Sequence, residues 1–532
     1  VTAVTTIVST WPLVLSPRFV PNHQDPLFSS WRLYQWTRNV FGPTAEGLFD
    51  GNIFHPARDV LLFSDAIVLP AAFGMPFIQL GVPPLFVYNA LVWLAFLTAG
   101  LAMYALARDL SGHHVGALAA AAIYTGAPYR IAHLHHLELL WTCWIPLAIL
   151  AAKRAMEGDR RAPWWLAAFA VGQFFCSIYY GVFLLTVLPV IVGVAWLAAG
   201  RPAIPRALVA KTATGMGLAA LAVGLYSLPY QRARATVGDR PIDEVAGYRA
   251  SISDYLRTST ANRWWGWTGE YDGDEHRLSA GLAAYALAAP ALLPPFTPWT
   301  AGLLAGGLLS AEASRGLAGF SYPLLRAALP PYRGLRVASR FAVIVLAVVA
   351  ALAAMGMARI QRELGSPRWW PAAAYVLVAL VVVETASANS VRPWHTEAPF
   401  VYRWLAQQPP TVIAHMPMPR SNNLPGMEHE YQYFAQFHRH QLVNGNSGFY
   451  PGSYIRLLDE VRRFPDGRSL EALRAAGVEF LIVHRQHYQP KVYAAIIEQL
   501  DIELDVQPLG AFPDEWDETR VYKLRPAPQP PR

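Results

Sequence analysis

Residues 22–38 read NHQDPLFSSWRLYQWTR and follow an apolar opening, VTAVTTIVSTWPLVL, over residues 1–15. One carboxylate, Asp25, stands just beyond a hydrophobic segment. After it Leu27, Trp31, Tyr34 and Val40 recur near helical spacing. An amphipathic stretch of this kind, rich in Trp, Tyr and Arg, suits a water–lipid boundary. The residues leave two readings of Asp25 open. Asp25-Pro26 can start a helix, with the acid as N-cap and the proline in the first turn. Alternatively, the carboxylate is held at a membrane surface, where it can take a proton from a hydroxyl.

Composition favours a membrane setting. The chain has 532 residues, of which 54% are hydrophobic and 15% charged, and its mean hydropathy is +0.25. A soluble chain would carry roughly a quarter charged residues. From about residue 85 to about 385, apolar runs of roughly 16 to 24 residues recur between short polar or Pro/Gly loops. This pattern predicts a polytopic α-helical membrane protein with about eleven transmembrane helices, over roughly 1–15, 85–107, 115–128, 138–152, 163–178, 181–199, 207–228, 278–293, 298–312, 337–358 and 369–387. Residues 1–15 lack a basic n-region and an A-x-A site, so they are read as a span rather than a signal peptide. The 18 Trp and 24 Tyr fit interfacial belts. A net charge of +7 is read as loop bias and contact with membrane lipids, with no nucleic acid as partner. The two cysteines, Cys143 and Cys176, fall in expected spans, which excludes a disulfide framework or a CxxC metal site.

Basic loops set the expected orientation. Lys153–Arg161, the group Arg201, Arg206 and Lys211, and the group Arg359, Arg362 and Arg368 fall on one side, expected to be cytoplasmic together with the N-terminus. Ser64–Gly81, with Pro70 and Pro76, then cannot cross and must lie along or dip into the membrane. The outer side receives 16–84, a long first loop with interfacial helices, and 129–137, 229–277, 313–336 and everything after about 388. The expected division is therefore a transmembrane domain over 1–387, a small extracytoplasmic α/β domain over 388–525, and a disordered Pro-rich tail over 526–532. The α/β reading rests on strand-like TVIAHMPM, EFLIVH and RVYKL alternating with helical SYIRLLDEVRRF, SLEALRAAG and VYAAIIEQL.

Chemistry-bearing residues cluster in the outer segments. Tyr129-Arg130 open a loop that runs through His133, His135 and His136 to Glu138. On a helix His135 and Glu138 share a face, and the pair could hold Zn²⁺ or Mn²⁺, or Mg²⁺ through the carboxylate with waters, although the spacing matches no strong metal motif. Polar lining of a cavity mouth is the plainer reading. Glu138 at the start of an apolar run is itself a functional candidate. Arg336 and Arg340, at i and i+4 with Arg333 a turn earlier, offer guanidinium forks to a phosphate. Arg232, Arg234, Arg240 and Arg249 are expected on the same side; snorkelling to headgroups is the alternative. Trp264, Trp265, Trp267 and Tyr271 form a carbohydrate-stacking or interfacial platform, next to Asp272, Asp274 and Glu275. Glu428-His-Glu430, His438-Arg-His440 and the turn NGNSGFY over 444–450 are polar and aromatic, and could face a cavity.

Taken together, these parts resemble the GT-C superfamily of membrane glycosyltransferases, in the class of protein O-mannosyltransferases and aminoarabinose transferases. The residues carrying the resemblance are Asp25 in HQDP after the first span, the long first loop, LARDLSGHHVGALAAAAIYTGAPYR over 106–130, and Glu138 where the fourth span starts. The later half, from DYLRTST through LRVASRF to NGNSGFYP, looks like bacterial GT-C-like proteins with an outer C-terminal domain. Two positions depart from the family pattern: Pro26 stands where a second acid is usual, and Glu138 where an aspartate is usual.

The resemblance implies inverting transfer of a sugar from a polyprenyl-phosphate donor to a polar glycan, lipid or protein acceptor, at the outer face of a bacterial inner membrane. Asp25 would be the general base. Glu138 would orient the acceptor or bind a divalent metal (Mg, Mn or Zn) with His135. Arg336, Arg340, Arg333, Arg232, Arg234, Trp264, Trp265, Tyr129 and Arg130 would contact substrate. The alternatives are a lipid-linked glycan flippase, which should carry polar residues through the middle of several spans, and a non-catalytic envelope-assembly scaffold.

Overall fold

Apolar runs between Pro84 and Glu384 fold as helices in the computed structural model, which describes residues 1–42, 47–270, 273–513 and 518–525. Tyr271, Asp272 and the tail 526–532 lie outside the described residues. Among the described residues, five helices are long and apolar enough to cross a membrane: Pro84–Ser111, Leu137–Met156, Ile178–Ala198, Arg206–Val237 and Ala338–Glu363. Their ends follow the usual chemistry. In Pro84–Ser111, Pro84 sits in the first turn and Gly112 ends the helix at φ 66°, a left-handed position that glycine adopts without steric cost.

Shorter apolar helices replace several of the expected spans. Ala162–Cys176, Leu282–Leu292 and Trp370–Glu384 are among them. The run expected over 1–15 is not one helix: Thr2–Ser9 is helical, and after Pro12 the chain continues as a single turn, Leu13–Leu15. Pro12 has no N–H with which to continue the ladder. Val68–Gln79 has 12 residues and an internal Pro76, a length of about 18 Å that is too short to cross, as its prolines suggested.

Small residues let these helices approach closely. Ala99, Ala102, Ala117, Ala120, Ala347, Ala350 and Ala354 are buried in one core. A Cβ on Gly356 would fall 2.0 Å from the Leu287 carbonyl oxygen, so only glycine allows that approach.

The C-terminal part carries a five-stranded sheet in the order Gln441–Leu442, Val412–Met416, Val478–His484, Glu518–Leu524, Val506–Pro513. The first three strands are parallel and the last two add antiparallel. Helix Glu428–Phe434 makes the crossover between the parallel neighbours Val412–Met416 and Gln441–Leu442, Gly452–Glu460 and Gly467–Ala475 carry the chain on to Val478–His484, and Pro490–Ile502 leads from there to Val506–Pro513.

This unit is tied to the first loop. Phe19 and Val20 pair antiparallel with Pro393 and Arg392. Phe54 and His55 donate backbone N–H groups to the Asn444 and Leu442 carbonyls at 2.9 Å, and Leu442 donates to Asn52 at 3.0 Å. The Asn52 side chain donates to the Ala435 and His440 carbonyls at 3.0 and 3.2 Å and accepts from the Trp31 indole at 3.0 Å. Trp31 belongs to helix Asp25–Phe41, so the helix carrying Asp25 is fixed to the C-terminal sheet through Asn52.

Candidate functional site

The five segments that the sequence assigned to one side of the membrane meet around one cavity of about 900 Å³. Its wall takes Asp25 and Asp65 from the first loop, His136 and Glu138 from the next, and Tyr230 and Arg240 from the third. Arg336 comes from the fourth and Arg340 from the start of the span that follows it, just as Glu138 opens the span after its loop, and His429, Asn446 and Tyr450 come from the C-terminal unit.

The acidic side is built on two turns. Gln24 is the N-cap of helix Asp25–Phe41, with no side-chain capping bond, and Asp25 is the acid of the first turn. Asp25 thus lies in the first turn rather than capping it. Its Oδ2 instead faces His136 Nδ1 at 3.7 Å and His135 Nε2 at 3.8 Å. The ligand atoms of Asp25, His135 and His136 all lie within 4.8 Å of one another. Burial, with the His135 ring alongside, holds the His136 imidazole well below its ordinary value, leaving it neutral with a lone pair to offer.

Glu138 does not share a helical face with His135. The helix begins only at Leu137, after His136 in extended conformation, so His136 rather than His135 is its neighbour, with Nδ1 3.8 Å from Oε1. The other Glu138 oxygen accepts from Arg32 Nη2 at 2.9 Å, in a pair that is almost fully buried. Arg32 also donates to the Asp65 carbonyl at 3.1 Å. Asp65, which sequence reasoning passed over, accepts from Ser177 Oγ and Ile178 N, each at 2.6 Å. It thereby closes the N-terminus of helix Ile178–Ala198. Burial, reinforced by the nearby Glu138 charge, pushes Asp65 up to about 6 despite these bonds.

The basic side differs from the expected helical face. Arg336 lies in an irregular segment and Arg340 in the short helix Ala338–Phe341. The two are not one turn apart on a helix, yet both reach the cavity. The Gly334 turn after Pro330–Arg333 delays the helix. Arg336 Nη1 binds Glu244 Oε1 at 2.7 Å, and Arg240 Nη1 binds the same oxygen at 3.3 Å. Two guanidiniums on one carboxylate leave one positive charge in surplus. Arg340 is held by Glu275, which also takes His133 Nε2 at 3.1 Å. Arg234 reaches the cavity and pairs with Asp239. It stands on a helix that runs to Val237 rather than ending near 228: the charges close the apolar run but not the helix.

The remaining expected contacts lie elsewhere, none of them among the described cavity-lining residues. Arg232 and Arg333 are exposed. Arg130 is buried, and its guanidinium donates to the Tyr124, Thr125 and Leu140 carbonyls at 3.2, 3.1 and 2.8 Å. It closes helix ends that have no backbone donor of their own. Tyr129 is buried, hydroxyl to hydroxyl with Tyr180 at 2.7 Å. The Trp264 indole donates to the Val383 carbonyl at 2.8 Å, and Trp265 donates to Glu384 at 3.1 Å. Both tryptophans stopper the end of helix Trp370–Glu384.

The C-terminal wall is anchored from behind. Glu428 accepts from Asn444 Nδ2 at 3.0 Å and Gly445 N at 2.8 Å, which pins the 444–450 turn. Burial pushes Glu428 up to about 8 in spite of those donors. Its folded value lies above the ordinary 4.5, so its share of stability falls as pH rises from about 4.5 through about 8. Glu428→Gln should therefore gain on the wild type by roughly 2–4 kcal/mol across that window. Amide hydrogen exchange of the 444–450 turn in the full chain, at pH 5 and pH 8.5, measures this. Parallel profiles would mean that Glu428 is ionised throughout.

No protein-family model matches the chain, and no curated protein sequence matches it. Among solved structures, the arabinofuranosyltransferase AftD from mycobacteria superposes with a TM-score of 0.61 at 15% identity, covering 98% of this chain and 40% of AftD. The chain thus spans about 40% of that structure's length. The archaeal oligosaccharyltransferase AglB from Archaeoglobus fulgidus aligns over 93% of this chain and 69% of its own, at 13% identity and a TM-score of 0.49. ArnT from Cupriavidus metallidurans aligns over 93% of both chains, at 12% identity and a TM-score of 0.49.

Proposed function

We propose that this chain, which has the GT-C fold, transfers a sugar from a polyprenyl-phosphate-linked donor to an acceptor hydroxyl at the outer membrane face. The observation that carries this reading is the pairing of two walls in one cavity: the Asp25 carboxylate on one side, and the surplus cation of Arg240–Glu244–Arg336 on another. The same cavity is lined by the apolar side chains of Phe174, Ile178 and Val223, the last on helix Arg206–Val237, most of whose residues are exposed. An apolar tail with a phosphate head fits that gradient.

In this reading Asp25 Oδ2 is turned toward the two imidazoles, and Oδ1 takes the proton from the acceptor hydroxyl. The oxygen attacks the anomeric carbon from the face opposite the phosphate, inverting it. The departing phosphate gathers charge at Arg336 and Arg240, where charge-assisted bonds strengthen as it forms. Arg32 holds Glu138, and Glu138 sets the His136 ring.

Asp25, His135 and His136 also suit a divalent metal: two ligands at roughly 2.0–2.2 Å from an ion sit no more than about 4.4 Å apart, and the Asp25–imidazole separations of 3.7 and 3.8 Å fall within that. A metal bound there would supply Lewis acidity beside the acceptor oxygen.

The test is transfer of labelled sugar from a panel of polyprenyl-phosphate sugars by the protein in nanodiscs, with and without EDTA. Arg336→Gln is expected to raise the donor KM roughly tenfold to a hundredfold. An unchanged donor KM would remove Arg336 from the phosphate site.

A further inference from the structure

Helix Glu428–Phe434 contributes to two cavities. His429 lines the large one, whereas Glu430, Tyr431 and Phe434 line a second pocket of about 30 Å³. Among the described residues the two share no lining side chain. Glu430 and Phe434, at i and i+4, lie on one helix face. Ring contacts continue from Phe434 around the pocket. Phe434 stacks on Tyr402 with centroids 4.6 Å apart, and it lies 5.8 Å from Trp394. Tyr402 is 6.5 Å from the His484 ring, His484 is 5.0 Å from Tyr431, and Tyr431 is 5.8 Å from His487. His487 Nε2 brings the chain of contacts back to Glu430, 3.5 Å from its Oε2.

The carboxylate is the member that the fold leaves uncompensated. The Glu430 side chain is 18% exposed, and among the described residues it accepts no hydrogen bond, only the 3.5 Å approach of His487. Burial pushes it up to about 7, and no arginine or lysine offsets this. Burial, with the His487 ring beside it, holds His484 well below its ordinary value, so that ring brings no charge. An acid withdrawn from water among aromatic rings is costly alone. A cation placed beside it gains both the carboxylate charge and the ring quadrupoles. Size selects among cations. A volume of about 30 Å³ is the share of roughly one water in the liquid, which suits an –NH₃⁺ head and is too small for a trimethylammonium. The rim includes the exposed Gln486, so whatever carries the head can extend outward. A metal ion is short of ligands here: among the described residues, only Asp25, His135 and His136 bring three together.

We propose that this pocket binds a primary ammonium group, carried by a free amine or a lipid headgroup, with Glu430 as its counter-ion and Trp394, Phe434 and Tyr402 as its aromatic wall. The site lies apart from the transfer cavity and does not depend on the transferase reading.

Binding is measured by saturation-transfer NMR on the full chain in nanodiscs of phosphatidylglycerol, which carries no amine. The probe is ethylammonium, with ethanol as its neutral counterpart and tetramethylammonium as the oversized cation. At pH 8 ethylammonium is expected to bind ahead of both, and Glu430→Gln to weaken it roughly tenfold to a hundredfold. The unmodified protein supplies a second reading. With Glu430 at about 7, the ionised share falls roughly thirtyfold between pH 8 and pH 5.5, and ethylammonium affinity should fall with it. The other titratable rings on the pocket are His395, His484 and His487; gaining a proton, each would repel the cation and act in the same direction. This reading stands even if Glu430→Gln folds poorly. Repeating the titration with phosphatidylethanolamine in the nanodisc separates the sources: a weaker apparent affinity assigns the site to the lipid headgroup, and an unchanged one to a free amine. Ethanol or tetramethylammonium binding as well as ethylammonium overturns the proposal. So does an ethylammonium affinity that neither Glu430→Gln nor acid pH alters.

Discussion

Asp25→Asn is expected to slow sugar transfer by about 10²–10⁴-fold, the usual loss when a positioned general base is removed. The asparagine keeps the shape of the side chain and an oxygen to face His135 and His136, but it has no basic lone pair for the acceptor proton. The donor KM should stay near the wild-type value, because the phosphate is assigned to Arg336 and Arg240, which make no contact with Asp25. That split separates chemistry from binding. The measurement is initial-rate transfer in nanodiscs, with donor and acceptor varied independently. Equal rates in the two proteins would remove Asp25 from catalysis and with it the main functional argument. A fall in rate accompanied by a large rise in donor KM would instead assign Asp25 to donor placement.

Glu275→Gln should cost about 3–5 kcal/mol of stability, because it strands the Arg340 guanidinium in a buried site. The Arg340 and Glu275 side chains are 9% and 14% exposed. Burial pushes Glu275 up, but the Arg340 charge and the His133 ring outweigh it and hold the carboxylate well below its ordinary range. A depressed folded value means that the contribution is complete at neutral pH. It is lost only as pH falls below the ordinary 4.5 and through the folded value. Denaturation in mixed micelles at pH 7 reads the loss. The double variant Glu275→Gln, Arg340→Met should recover much of it, since it removes the stranded charge as well. A Glu275→Gln protein as stable as wild type would mean that water reaches the pair.

What the sequence made legible follows from which signals are local. Asp25 could be found because a lone acid after an apolar run is unusual, and Arg340 because a basic cluster opens a long apolar helix. Their partners could not. Glu275 sits in the run DGDE, which reads as a solvated loop, and only the fold brings it to Arg340, 65 residues on. Arg130 shows the opposite error. An arginine beside a tyrosine at a loop mouth resembles a ligand contact, whereas the fold spends it on carbonyls left open at two helix ends. The neighbour of Glu138 depended on one extended residue, His136, which puts His135 a turn out of place. Asp65 was hidden inside a stretch read for its hydrophobicity. The polar turn at 444–450 was visible as a turn, but its place on the cavity was not, because that depends on the first loop reaching across to the C-terminal sheet.

That reach has a temporal meaning. Asn52 leaves the ribosome 388 residues ahead of His440, whose carbonyl it binds. At typical synthesis rates the interval is on the order of 20–80 s. During that time residues 52–55 have been made but lack their partners at Leu442 and Asn444, and Phe19 and Val20 lack theirs until Arg392 and Pro393 are made. Helix Asp25–Phe41 must wait, with Trp31 unanchored, until the chain is nearly finished. A newborn copy therefore passes through a stage with its long apolar helices made and Asp25 unplaced. Any arrest of translation before about residue 440 would leave that stage permanent, a natural substrate for membrane quality control.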